Sequence, residues 1–233
     1  MYRSERRFLA AFAACCLLVA PVVGDDEKPA AAGDLPLVFQ ADFEDGSLSG
    51  WEFTDPEAWR ITEDDGNKVL DQHKNSRYEP PVRSPLNIGL IENLVVGDFV
   101  MDLKLRSTSR DYGHRDLCLF FGHQDPSHFY YVHLGKEADP HAHSVFLVDG
   151  EPRVSIARER TEGTPWTEGW HKLRIVRKVE SGLIEVYFDD MDKPAMTAND
   201  KRFTQGRIGF GSFDDSGYFD EIRIWGITRD ASE

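Results

Sequence analysis

Phe99-Val100-Met101-Asp102-Leu103-Lys104-Leu105-Arg106 alternates with a period of two. Phe99, Met101, Leu103 and Leu105 point one way, and Val100, Asp102, Lys104 and Arg106 point the other. Successive side chains of a strand face opposite sides, so this is a strand with one face in a core. The same reading works outward from it. Short apolar or alternating runs follow at 116–122, 129–134, 145–148 and 153–157, and Asp149-Gly150 between the last two is a hairpin signal. Trp170 to Val176 and Leu183 to Phe188 flank Ser181-Gly182 as a second hairpin, and 207–211 and 219–225 close the pattern. Strand patterning begins at Leu37, and no amphipathic helix is read after residue 36. Many short strands separated by turns predict one all-β domain over 37–227, an antiparallel jelly-roll β-sandwich, with a short tail at 228–233.

The start of the chain reads differently. Arg3, Arg6 and Arg7 precede an uncharged run from Phe8 to Val23, which ends in Val22-Val23-Gly24. That is the pattern of a signal peptide over 1–24, cleaved before Asp25, and it predicts a secreted or periplasmic protein without stable membrane insertion. Cys15 and Cys16 leave a lipoprotein route open, and Arg6-Arg7-Phe8-Leu9 a twin-arginine one. Asp25 to Pro36 is polar and alanine-rich and is expected to be a flexible tether. After cleavage Cys118 is the one cysteine left, so no internal disulfide is expected and the core must carry stability. Removing Arg3, Arg6, Arg7 and Glu5, a net +2, takes the charge from −14 to about −16. Phosphate affinity comes from lysine and arginine, so such a chain is a poor nucleic-acid partner, and neutral sugars or cations suit it better.

Several of these segments carry a resemblance. Asp42-Phe-Glu-Asp-Gly46 with Gly50-Trp51, Trp170-His-Lys-Leu-Arg-Ile175, Gly206-Arg-Ile-Gly-Phe210 and Phe219-Asp-Glu-Ile-Arg-Ile224 resemble the concanavalin A-like lectin/glucanase superfamily. Within it the chain looks most like the 3-keto-disaccharide hydrolase, or family-16-like glycoside hydrolase, domains. The resemblance implies two antiparallel sheets with a saccharide bound in a concave groove on one of them, and possible hydrolysis there. The Glu-x-Asp-x-x-Glu hallmark of family-16 glucanases is absent; Glu52-Phe-Thr-Asp55-Pro-Glu57 has the wrong spacing. A non-catalytic glycan-binding or cell-surface module remains the rival reading.

Candidate chemistry concentrates between residues 112 and 143, which hold His114, His123, His128, His133, His141 and His143 of the eight histidines. In Phe129-Tyr-Tyr-Val-His-Leu134, alternation puts Tyr130, Val132 and Leu134 in the core, and Tyr131 with His133 on the other face. Tyr131 and His133 are therefore expected to contact a saccharide. With Arg106 as a cation they would also suit proton transfer in a lyase acting on a uronic acid. Arg115, His114 and His143 are expected as substrate-binding neighbours. His141-Ala-His143 is a candidate transition-metal pair. Asp42, Glu44 and Asp45 near the first strand, with Asp214, Asp215 and Asp220 near the last, form a candidate calcium constellation centred on Asp42 and Asp220. No cofactor is required by these patterns, and calcium is the candidate. His123 and His128 read as turn caps, His171 as structural and Cys118 as an inert strand residue.

Overall fold

The computed structural model describes residues 28–230; the expected signal segment lies outside them. Fifteen strands, all pairing antiparallel, form one continuous sheet folded on itself. They are β1 (Leu37–Ala41), β2 (Trp51–Phe53), β3 (Trp59–Asp64), β4 (Asn67–Gln72), β5 (Asn87–Ser107), β6 (Cys118–Asp125), β7 (His128–His133) and β8 (Ser144–Asp149). β9 (Val154–Ser155), β10 (Ala157–Arg160), β11 (His171–Lys178), β12 (Leu183–Phe188), β13 (Met196–Asn199), β14 (Gly206–Ser212) and β15 (Gly217–Thr228) complete the order. The helical content among the described residues is two 3-10 turns, at Ala30–Ala32 and Pro56–Ala58.

β5 builds the sandwich. Its first half pairs with β2 and β14, and its second half with β11 and β15. Between the halves Glu92 and Asn93 are exposed, and Asn93 takes a positive φ of 55°. Asparagine tolerates that region better than most residues, so the strand can turn from one layer into the other. One layer then runs β2, β5, β14, β6, β7, β8, β9, and the other β10, β13, β12, β11, β5, β15, with β1 and β4 on its edge. The alternation quoted above holds: Phe99, Met101, Leu103 and Leu105 lie in the core between the layers. Leu119, Phe121, Tyr130, Val132, Leu134 and Ile208 meet them from the opposite layer. Each large apolar side chain so buried contributes about 1.5–3 kcal/mol before chain entropy is charged against it.

The first layer is also buried on its outer face. Ile88, Leu90, Cys118, Phe120, Phe129, Tyr131, Phe146 and Val148 form a second apolar cluster there, with Val82 packed on it. The non-regular segment 73–86 crosses this face. It is pinned by Ser76 N–H to Asn87 Oδ1 (2.7 Å), Arg153 N–H to Arg83 O (3.2 Å) and Leu86 N–H to Phe213 O (3.1 Å). Double burial explains why β6 to β8 read as near-continuous apolar runs rather than clean alternation. A third cluster joins Ala32 to Val100, Val176 and Trp225, so the end of the expected tether packs against the second layer.

Candidate functional site

Asp116 lies two residues before β6 and beside Cys118 at its start, and Cys118 stands directly opposite His133 on β7. The three side chains therefore meet at the end of the second aromatic cluster, where a cleft of about 330 Å³ opens. Its walls include Arg83, Tyr112, His114, His141, Arg153 and Asp214. A larger cleft of about 580 Å³ lies beside Ala32, Val100 and Val176. None of its lining side chains has a buried polar atom without a hydrogen-bond partner among the described residues.

Asp116 is 1% exposed and His133 5%. Asp116 Oδ2 accepts from Phe213 N–H at 2.9 Å and from the Cys118 thiol at 3.3 Å. His133 Nε2 lies 3.1 Å from the same oxygen, a separation that suits an ion pair, but the alignment falls short of a hydrogen bond. Asp116 Oδ1 has no hydrogen-bond partner among the described residues. A carbonyl can only accept, so His133 Nδ1 is protonated where it meets His141 O at 3.1 Å. Arg153 donates to that carbonyl too (2.9 Å) and to Tyr131 Oη (2.7 Å). Its guanidinium lies 4.2 Å from the Phe213 ring centre, and Phe213 stacks on His133. Arg83 is exposed, with no side-chain hydrogen bond or ion pair among the described residues.

Charge is uneven here. Burial alone would raise the Asp116 carboxyl, but His133, the Phe213 amide and the Cys118 thiol more than offset it and hold it below its ordinary value. Burial and the Asp116 charge raise Asp214, and push Asp215 up to about 6. Asp215 is held inside the fold by Tyr112 Oη–H (2.9 Å) and Asp116 N–H (2.8 Å). Burial and then Asp116 raise the Cys118 thiol, so it is protonated at neutral pH.

The expected site residues converge only in part. His133 reaches the cleft, with His114 and His141 on its rim. Tyr131 is on the expected face but 0% exposed, because Arg153, Phe146 and the segment 73–86 close that face over it. Arg106 lies in the other layer, donating to Asp64 Oδ1 (2.7 Å) with its guanidinium over Tyr218 and Trp170. The Tyr131, His133 and Arg106 arrangement of a lyase is therefore not formed. Arg115, 1% exposed, is a fastener: it donates to Ser107 Oγ and O, Thr167 O and Glu168.

His143 is buried, and its two ring nitrogens meet Thr164 Oγ1 (3.0 Å) and Thr161 Oγ1 (2.8 Å). Burial and the nearby Arg160 charge lower it to about 4. It has no nitrogen left to share a metal with the exposed His141. Strands β1 and β15 do pair, but Asp42 Oδ1 accepts from Glu44 N–H in a turn while Asp220 Oδ2 accepts from Asn67. Neither belongs to a group at metal-ligand spacing; among the described residues those groups are Asp116–Cys118–His133 and Asp116–Asp214–Asp215. His123 is not a turn cap but a buried ring stacked on Phe129.

Arg83, Arg153 and Phe213 are cleft residues that the sequence reading did not single out, and no local pattern marks them. Asp116 was visible only as part of a polar strand entry.

Fold and cleft together define a β-sandwich module with a polar depression at a sheet end. Solved structures share this fold. The carbohydrate-binding module CBM66 from Bacillus subtilis is 15% identical over 77% of this chain and 98% of its own, with a TM-score of 0.55. Domain 4 of AbnA, a GH43 extracellular arabinanase from Geobacillus stearothermophilus in complex with arabinotriose, is 12% identical over 85% and 96%, with a TM-score of 0.54. A protein of unknown function with a galectin-like fold from Bacillus subtilis is 13% identical over 84% and 98%, with a TM-score of 0.51. At these identities the likeness is one of fold, and it agrees with the antiparallel β-sandwich read from the sequence. No protein-family model matches the chain, and no curated protein matches it by sequence. Among the described residues no helix is long and apolar enough to cross a membrane.

Proposed function

We propose that this protein is an exported saccharide-binding module whose ligand sits in the cleft between β6, β7 and the Phe213–Asp214 turn. One observation carries the reading. Polar side chains with free or incompletely used hydrogen-bonding groups (Arg83, His114, His141 and Asp214, with Asp116 and His133 behind them) ring one depression on a rigid sheet end. Sugar hydroxyls need such mixed donors and acceptors, and about 330 Å³ is at the small end of ligand-pocket size. The fold supports the same class of ligand.

The finer reading is hydrolysis, of the kind the resemblance to 3-keto-disaccharide hydrolases implies. It is supported by Asp116 and Asp214, whose oxygens come within 4.8 Å in one cleft, since acid–base hydrolysis needs two groups at one bond. Calorimetry and a glycan array that includes arabinotriose and uronate-containing oligosaccharides test the binding. Arg83→Ala and His141→Ala should each weaken binding of a verified ligand about five-fold, the scale of one hydrogen bond. Unchanged affinity in both variants would remove the cleft. Turnover of that ligand that is lost in Asp214→Asn with binding retained would decide for the enzyme.

A further inference from the structure

Two buried polar atoms in the cleft lack hydrogen-bond partners among the described residues, Asp116 Oδ1 and His133 Nε2. They belong to neighbouring side chains, and the Cys118 thiol lies beside them. An unpaired buried polar group costs about 1–3 kcal/mol, so two at one place call for a common partner. The tautomer narrows what it is. Because Nδ1–H of His133 is given to His141 O, Nε2 presents a lone pair towards Asp116 unless a cation lies between them. A proton is one such cation; a metal ion is the other.

From this geometry we propose that Asp116, Cys118 and His133 bind one zinc-type transition-metal ion, with its open coordination position facing the cleft. The donor atoms all lie within 4.8 Å of one another. His133 Nε2 and Cys118 Sγ stand 3.1 and 3.3 Å from Asp116 Oδ2. Tetrahedral bonds of about 2.0–2.3 Å set ligand atoms about 3.3–3.8 Å apart, so small side-chain rotations complete the fit. A thiolate and an imidazole select zinc or a similar ion, whereas calcium takes six or more oxygens. The supporting shell is in place. Nδ1–H of His133 is held by a backbone carbonyl that Arg153 also grips, and Asp116 Oδ2 is held by the Phe213 amide. The Cys118 thiol proton, donated to Asp116 Oδ2, leaves to solvent when the ion binds. Asp214 and Asp215 are not needed: Asp215 is already committed to Tyr112 and the Asp116 amide.

Three protein ligands leave a fourth position open, and on the saccharide reading a sugar hydroxyl fills it; metal binding itself does not depend on that reading. Chelator-stripped full-length protein titrated with Co²⁺ tests the proposal. One Co²⁺ should bind per chain with a thiolate-to-cobalt charge-transfer band, and Zn²⁺ should displace it. Cys118→Ser should lose the band, and His133→Gln should weaken Zn²⁺ binding at least ten-fold. The wild-type band depends on no variant folding, and near-ultraviolet circular dichroism checks the two variants. No stoichiometric Co²⁺ or Zn²⁺ binding by the wild type, a bound Co²⁺ without the band, or Ca²⁺ binding alone would each overturn the proposal. Glycan binding measured with and without Zn²⁺ keeps the two readings apart: a metal band with no glycan bound retains the ion and removes the sugar.

Discussion

Asp220 shows what a single side chain does in this fold. It is 3% exposed on β15, and Oδ2 accepts from Asn67 Nδ2 at 2.7 Å. Burial pushes its carboxyl up to about 6, with the neighbouring Glu221 charge adding to it. The folded state thus prefers the neutral acid. That preference stabilises fully below the unfolded value near 4 and is lost as pH rises through about 6. Urea unfolding at several pH values should show Asp220→Asn more stable than the wild type by about 1–2 kcal/mol at pH 8, with the gap closing below pH 4. A gap that is constant with pH would mean that the carboxyl titrates alike in the folded and unfolded chains. At this scale the sequence was a partial guide. His133 was identified by its place in an alternating run, which is local information. Arg83, Arg153 and Phe213 reach the cleft only because 73–86, β9 and the turn after β14 cross one sheet end, and no spacing rule reports that.

At the scale of elements, β7 is the clearest case of a correct pattern and a wrong inference from it. Alternation sorted Tyr130, Val132 and Leu134 from Tyr131 and His133, and the structure keeps that sorting. The inference that the second face is open failed because the segment 73–86, with Val82 and Arg153, covers it. That segment has neither period, so its position was not legible. The strands at 99–106, 171–178, 183–188 and 217–228 were legible because one of their faces is solvent-facing enough to stay polar. The covered face also predicts a contrast measurable by thermal or chemical unfolding. Tyr131→Phe keeps the ring packed and loses one hydrogen bond, at about 1 kcal/mol. Phe146→Ala opens a cavity beside the same ring and should cost about 3–5 kcal/mol. Equal effects would mean that the face is not packed as described.

For the whole molecule the deciding fact is that β5 belongs to both layers. Neither layer can lose its pairing without breaking a strand of the other, and the core between them is contiguous. Intrinsic fluorescence and far-ultraviolet circular dichroism should therefore report one coincident unfolding transition, and two separated transitions would show that the layers melt independently. The pairing of β1 with β15 has a mechanical consequence. Leu37 lies beside Trp225, so the chain enters and leaves the sandwich at one corner. Tension drawn between those two points would not shear the ladder along its length but peel it open one rung at a time, as a zipper parts. A module built this way resists heat through its core, yet it would yield readily to a pull from two partners tethered at that corner.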